Sequence, residues 1–152
     1  MTPAPRVVVA AGGEAAGMAQ MVADLIQANL ADSPRRARSA RKARGGVVLR
    51  AADRDLAVTV HFAGDEVVVS GDADPTVVTI LSGTWLDMAE VCSGQRSPLG
   101  AVVRKRLKVA RGGRARLLAR AAFVLKAPSA AFGGVRSSRR GSSRKAAMEG
   151  RR

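Results

Sequence analysis

Few side chains in this 152-residue chain could support nucleophilic catalysis or bind a metal ion. There is one histidine, His61, and one cysteine, Cys92, and neither lies in a recognisable catalytic motif. A serine or cysteine nucleophile needs a neighbouring base and an orienting carboxylate, and a structural zinc ion needs about four ligands. One histidine and one cysteine supply neither set, so we expect no catalytic residue, no bound metal and no cofactor.

The acidic residues and the glycines also lack the patterns that bind metal ions or phosphates. Asp72, Asp74 and Asp87 do not have the spacing of a calcium-binding loop. None of the glycine pairs is followed by the Lys-Ser or Lys-Thr dipeptide of a phosphate-binding loop. Binding without catalysis is therefore the class of function that we expect.

The apolar residues determine the character of the core. They make up 47% of the chain, but aromatic residues make up only 3%, so the core must consist mainly of valine, leucine, alanine and methionine. The single cysteine cannot form an internal disulfide, which favours a cytoplasmic protein. No apolar run reaches the length of about 18 residues that a membrane-spanning helix requires.

Positive charge is concentrated in three segments of the chain. The 26 lysines and arginines outnumber the 12 acidic residues, which gives a formal net charge of +14. Two clusters lie at residues 35–44 and 104–120, and the third is the tail at residues 127–152, which is also rich in serine, glycine and alanine. Because this composition buries too little apolar surface to offset the entropy of ordering, we predict a disordered tail. Charge of this density attracts nucleic acid, anionic lipid or acidic protein.

Apolar periodicity predicts a helix followed by three strands in the first half of the chain. Apolar residues recur at helical spacing from Ala15 to Leu30. Strict alternation from Leu56 to Phe62 predicts a strand, and short turns separate it from Gly46–Arg50 before it and Glu66–Ser70 after it. Links of this length indicate an antiparallel meander. Residues 1–14 are expected to form a flexible N-terminus.

Cap residues predict the boundaries of the elements in the second half. A serine, threonine or aspartate precedes three of them, and proline or glycine marks several of their ends. The predicted elements are a short helix from Asp74 to Gly83, a helix from Thr84 to Gly94, a helix from Ser97, a strand at Leu107–Val109, and a helix with the apolar stripe Leu117–Leu125.

Two segments of the second half carry a resemblance to a known family. They are SGDADPTVVTILSG at residues 70–83 and SPLGAVVRKRLKVARGG at residues 97–113. Their order after a helix and antiparallel strands resembles the sterol-binding domain of the sterol carrier protein family, roughly from Met18 to Lys126. Two features depart from the family's pattern. Lys105-Arg106 replaces the glycine usual before the short strand, and Thr84–Arg96 is an additional segment.

The resemblance implies an α+β fold in which an antiparallel-rich mixed β-sheet has helices packed on one face and encloses an apolar cavity. Residues 15–126 would form the domain, and the cavity would bind a sterol, fatty acid or acyl chain without catalysis. A pocket of this class is lined mainly by apolar side chains. The candidate lipid-binding residues are Val58, Val60, Phe62, Val77, Ile80, Leu81, Leu99, Val102, Val103, Leu118, Ala122 and Leu125.

The basic clusters leave two alternative functions open, which are non-specific nucleic-acid binding and a basic protein-interaction module. An excess of lysine and arginine is the electrostatic signature of nucleic-acid binding. The scattered aromatic residues and the lack of a recognition-helix or RNA-recognition motif argue against specific binding. An anionic membrane surface is a further partner that this charge could attract.

Overall fold

The computed structural model describes residues 2–93, 95–110 and 112–126, and these residues form one sheet and five helices. The elements in chain order are β1 (Arg6–Val9), α1 (Ala16–Asp32), α2 (Pro34–Lys42), β2 (Arg44–Ala51), β3 (Leu56–Ala63), β4 (Glu66–Ser70), β5 (Ile80–Gly83), α3 (Trp85–Cys92), α4 (Pro98–Val103), β6 (Lys108–Val109) and α5 (Ala115–Leu125). This alternation of helices and strands confirms the predicted α+β class.

The sheet has the strand order β1-β4-β3-β2-β5-β6. Its centre is the predicted meander, in which β3 pairs antiparallel with both β2 and β4. β1 pairs in parallel with β4, and β5 pairs in parallel with β2. Short β6 completes the other edge, antiparallel to β5. The sheet is therefore mixed with a majority of antiparallel pairs, as the family resemblance implies.

Strand register separates an inner face, which the helices cover, from an outer face. Val47 and Leu49 of β2 lie opposite Val60 and Val58 of β3, and all four side chains are buried on the inner face. Leu81 of β5 pairs with Leu49 and adds to this face. The residues between these positions point to the outer face because side chains alternate along a strand.

Helix α1 covers the part of the inner face formed by β1, β3 and β4. Its residues Met18, Val22 and Ile26 recur every four positions, and all three are buried in the core. A large aliphatic side chain buried in this way contributes about 1.5–3 kcal/mol relative to an exposed one. The predicted helix from Ala15 to Leu30 is confirmed.

Helix α2 was not predicted, although its start carries the same signal that predicts α4. The Ser33 side chain accepts a hydrogen bond from the Arg36 backbone N–H at 3.4 Å, and Pro34 occupies the first helical turn. Its apolar stripe consists only of buried Ala37 and Ala40, which is too short to predict a helix in a segment so rich in arginine.

Two contacts hold α5 against the first two helices. The Arg36 guanidinium of α2 lies 5.6 Å from the centre of the Phe123 ring. The buried Asn29 side chain of α1 donates hydrogen bonds to the carbonyl oxygens of Val124 at 2.7 Å and Lys126 at 3.2 Å. Carbonyls at a helix C-terminus lack partners within the helix, so Asn29 satisfies groups that burial would otherwise leave unpaired.

The predicted helix from Asp74 to Gly83 is wrong. Asp74 closes a turn, accepting a hydrogen bond from the Thr76 backbone N–H at 2.9 Å, and the chain then forms β5 beside β2. Five consecutive β-branched residues, Thr76 to Ile80, favour an extended backbone over a helix. Gly83 ends this strand where Leu107 packs against it, since an added Cβ atom would clash with a Leu107 methyl group.

The N-terminal segment also differs from its prediction. Residues 1–14 were expected to be flexible, but Arg6–Val9 forms edge strand β1, paired with β4 from Arg6–Glu66 to Val9–Val69. The run Val7 to Val9 has the β-branched composition of a strand, and the exposed edge of β4 supplies its hydrogen-bond partners. The predicted disordered tail at 127–152 lies outside the described residues.

Candidate functional site

An apolar cleft opens between α4, α5 and the inner face of the sheet. It has a volume of about 160 Å³ and is partly open to solvent. β2 and β5 form its floor, and the two helices form its walls. Each lining residue is an alanine, valine, leucine or proline. The lining residues are Val47, Leu49, Leu81, Pro98, Leu99, Val102, Ala115, Leu118, Ala119, Ala121, Ala122 and Leu125.

Small residues on α5 account for the gap above the sheet. Ala115, Ala119 and Ala122 are spaced by four and three positions, so they lie on one face of the helix, and all three line the cleft with Leu118. A methyl group fills much less space than a leucine or methionine side chain. The wall that α5 presents is therefore too shallow to close the cleft.

Helix α4 forms the opposite wall and is fixed at both ends. The Ser97 side chain accepts a hydrogen bond from the Gly100 backbone N–H at 3.5 Å, and Pro98 lies in the first turn. After the helix, Lys105 adopts a left-handed conformation with φ of 59°, which turns the chain toward β6. Buried Pro98 and Ala101 anchor α4 to the core, while Leu99 and Val102 reach the cleft.

Comparison with solved structures identifies this arrangement. The ubiquinone synthesis protein UbiJ-SCP2 superimposes with a TM-score of 0.54 and 15% sequence identity, over 72% of this chain and 92% of that chain. The fold is SCP2-like. A conserved hypothetical protein from Thermus thermophilus, described as a candidate sterol carrier protein, has a TM-score of 0.43 and 16% identity over 84% of this chain and 99% of that one. No protein-family model matches the chain, and no curated protein matches it.

Within the SCP2-like fold, half of the predicted lipid-binding residues meet at the cleft. They come from β5, α4 and α5, which are far apart in the sequence. These residues are Leu81, Leu99, Val102, Leu118, Ala122 and Leu125.

The other predicted residues lie away from the cleft. Val58, Val60 and Phe62 are on the inner face but are buried in the core. Val77 and Ile80 are on the outer face, because Ile80 pairs with Val48 and the Val77 side chain lies against Gly46. Val103 of α4 points into solvent and is 75% exposed. The error for Val77 and Ile80 follows from the wrong helix. Val77 precedes β5, and Ile80 points away from Leu81 because neighbouring side chains in a strand lie on opposite faces.

Six lining residues are not among those predicted from the sequence. Val47 and Leu49 carry a usable signal, since alternation along β2 places them on the same face as Val60 and Val58. The alanines on α5 carry no such sequence signal, because small size alone does not distinguish a cleft wall from a tight helix contact. The missed residues are Val47, Leu49, Pro98, Ala115, Ala119 and Ala121.

A polar network lies on the opposite, outer face, where residues 72–79 cross β3 and β2. We call this segment the outer strap. The Thr59 hydroxyl donates to the Asp72 carbonyl oxygen at 2.6 Å and accepts from the Asp74 backbone N–H at 2.9 Å. The Asp74 carboxylate lies 3.1 Å from His61 Nε2 and accepts from the Thr76 hydroxyl at 2.7 Å. The network fastens the strap to β3.

The hydrogen bonds in the strap also affect the charge of Asp74. The Thr76 side chain and backbone N–H stabilise the carboxylate and lower the pKa of Asp74 below its usual range, and nearby His61 adds to this effect. The Thr76 hydroxyl bonds to the carboxylate and not to the imidazole. The arrangement therefore differs from a nucleophile–base–carboxylate triad, in which the hydroxyl bonds to the base.

Neither a metal-binding cluster nor a membrane-spanning helix is found in the described part of the chain. Residues 2–93, 95–110 and 112–126 contain no group of three or more histidine, cysteine or acidic side chains that could hold a metal ion. Among the helices of the same ranges, none is both long and apolar enough to cross a membrane.

Proposed function

We propose that the protein binds a lipid, either a single acyl chain or a sterol-like body, in the cleft between α4, α5 and β2. The wholly apolar lining of a partly open cleft is the observation that carries this proposal. An apolar ligand gains free energy when its surface leaves water, and such a site needs few polar groups. The SCP2-like fold supports the same class of ligand, and the sterol carrier family resemblance of the sequence agrees with it.

The cleft volume of about 160 Å³ bears on how the ligand is held. Pockets that enclose a drug-sized ligand usually measure roughly 300–1,000 Å³. A ligand would therefore insert only part of its chain, because buried Pro98 and Ala101 anchor the α4 wall to the core.

We further propose that the lipid is bound and not chemically changed. No polar side chain lines the cleft among the described residues, so no nucleophile or general base faces a bound chain there. The His61–Asp74 pair lies on the other side of the sheet. Nucleic-acid binding remains the competing explanation for the charge, and the titration below separates the two.

Titration with a fluorescent fatty acid tests the proposal. We expect saturable binding that is nearly indifferent to salt, because ions do not screen apolar burial. Binding of duplex DNA through phosphate contacts would instead weaken steeply as salt rises. Absence of saturable fatty-acid binding at any salt concentration would contradict the proposal.

A pair of matched substitutions locates the site. Ala122→Phe fills the cleft with a ring, so we expect loss of the fluorescent signal with an unchanged circular dichroism spectrum. Ala28→Phe makes the same change at an exposed position on α1 and should bind like the wild type. Equal binding by both variants would place the ligand elsewhere.

A further inference from the structure

Helix α4 exposes two large aliphatic side chains beside the mouth of the cleft. Leu99 is 65% exposed and Val103 is 75% exposed. They are four positions apart, so they lie on one face of the helix, while Pro98 and Ala101 are buried on the other. Single exposed apolar residues are common on protein surfaces, but a paired stripe continuous with an apolar cleft marks an interaction surface. Leu99 provides that continuity, since it also lines the cleft.

Cations without acidic partners surround this stripe. Arg104 and Lys105 follow Val103 directly, and both are exposed. Arg106 is paired with Asp87 at 3.3 Å, but Arg104 and Lys105 have no carboxylate within 4 Å among the described residues. Residues 91–126 contain no aspartate or glutamate at all. The positive charges of Arg104 and Lys105 are therefore not offset by an ion pair within the described residues.

Helix α5 extends the positive surface along the other side of the mouth. Ala119 lines the cleft and also borders a shallow groove formed with Arg116, Arg120 and Phe123. The cleft and this basic groove thus meet at the exposed ridge of α5. Arg116 and Arg120, like Arg104, form no ion pair within the described residues.

The combination of aliphatic and basic side chains favours a lipid bilayer over a nucleic acid. A bilayer presents anionic headgroups next to an apolar interior, so it complements both kinds of side chain. Nucleic acids attract the same cations, but proteins that bind unpaired bases stack them on aromatic rings. Leu99 and Val103 are aliphatic, and the Phe123 ring in the basic groove already has the Arg36 guanidinium 5.6 Å from its centre.

We propose that this face docks on an anionic phospholipid bilayer, with the aliphatic pair inserted among the lipids and the cations against their phosphates. The orientation would turn the mouth of the cleft toward the acyl chains, so a lipid could enter without crossing water. That consequence rests on the proposed lipid binding, whereas the docking itself does not. The α4–α5 face comprises Leu99, Val103, Arg104, Lys105, Arg116 and Arg120.

Co-flotation with vesicles tests the docking in the full chain. Vesicles of phosphatidylcholine alone are compared with an equimolar mixture of phosphatidylcholine and phosphatidylglycerol. We expect the wild type to float with the mixed vesicles and to remain largely unbound with the neutral ones. Equal binding to both, or to neither, would overturn the proposal. The seven cations of residues 127–152 remain in every variant, so their contribution is constant.

Two variants and two matched controls assign the docking to α4. Val103→Ser removes an exposed aliphatic group outside the cleft and should lower the partitioning of the protein onto the mixed vesicles about tenfold. The double reversal Arg104→Glu/Lys105→Glu should lower partitioning onto the mixed vesicles about thirtyfold or more, because each lost cation weakens binding by about fivefold. Val78→Ser changes a valine that is 57% exposed on the outer strap, and Arg6→Glu/Arg54→Glu makes the same change of charge elsewhere. Both controls should stay close to the wild type.

Three outcomes decide the result. Equal losses for the two charge reversals would mean that only net charge matters and would overturn the proposal. The proposal would also be overturned if the Arg104→Glu/Lys105→Glu variant still bound vesicles but no longer bound duplex DNA. The basic surface would then be a nucleic-acid site. At about 1 M salt, where the Debye length is about 3 Å, the charge effect should fade and the Val103→Ser effect should persist.

Fatty-acid titration without vesicles separates the two proposals. Val103→Ser and Arg104→Glu/Lys105→Glu should bind the fluorescent fatty acid like the wild type, since these residues do not line the cleft. A wild type that binds the fatty acid but no vesicle would overturn docking alone. A wild type that docks but binds no fatty acid would overturn the proposed function alone.

Discussion

The helical layer covers the two ends of the sheet in different ways. Over β3 and β4, α1 inserts Met18, Val22 and Ile26 into the core, and these side chains are buried completely or nearly so. Over β2 and β5, α5 presents Ala115, Ala119 and other small residues, and a cleft remains. We call these regions the packed end and the open end. Both have an apolar helix face above an apolar sheet face, so hydrophobicity does not distinguish the core from the cleft.

The largest expected effect tests the packed end. Ile26→Ala removes a fully buried side chain that α1 places in the core, so we expect the free energy of unfolding to fall by about 2–5 kcal/mol. Urea denaturation measures the loss. Leu118→Ala at the half-buried cleft wall is the comparison and should cost less, because part of its surface already faces the open cleft. Equal costs would mean that the open end is as tightly packed as the other.

A pair of alanine-to-leucine substitutions sharpens the same comparison. Ala23→Leu adds three carbons at a buried position of α1, and overpacking should lower the free energy of unfolding by about 1–3 kcal/mol. Ala122→Leu adds the same atoms to the cleft wall, where space exists, so stability should be unchanged or slightly higher. Thermal unfolding of both variants checks this, and a destabilised Ala122→Leu would show that the cleft is too narrow to accept added volume.

The smallest effect concerns the outer strap, which lies behind both ends. A carboxylate whose pKa is lowered on folding stabilises the native state above its ordinary pKa of 3.8, and that contribution is lost as pH falls through the folded-state value. Asp74→Asn should therefore lower the melting temperature slightly near neutral pH, and the difference should disappear in acid. Thermal melts over a pH series measure it. If acid also changed fatty-acid binding in the wild type but not in Asp74→Asn, the strap would support the floor of the cleft.

Local sequence signals predicted most elements, and the candidate residues given with the family resemblance include half of the residues that line the cleft. The meander and α1 followed from periodicity, and α3 and α4 followed from their threonine and serine caps, since the Thr84 and Ser97 side chains accept the expected backbone hydrogen bonds. The errors arose where one signal outweighed another. The Asp74-Pro75 pair predicts a helix, but the β-branched run after it favours an extended chain, so Val77 and Ile80 lie on the outer face and not in the predicted lining.

The sequence by itself determined the composition of the core and the faces of α1, β3 and α5, because each depends on residue types at local spacing. Only the tertiary structure decided which apolar residues surround a cleft. Val47, Leu81 and Leu118 meet because β5 pairs beside β2 and α5 returns over both, and strand order is not encoded in any local pattern. It also decided that Leu99 and Val103 remain exposed, since exposure depends on what packs nearby and not on the side chain itself.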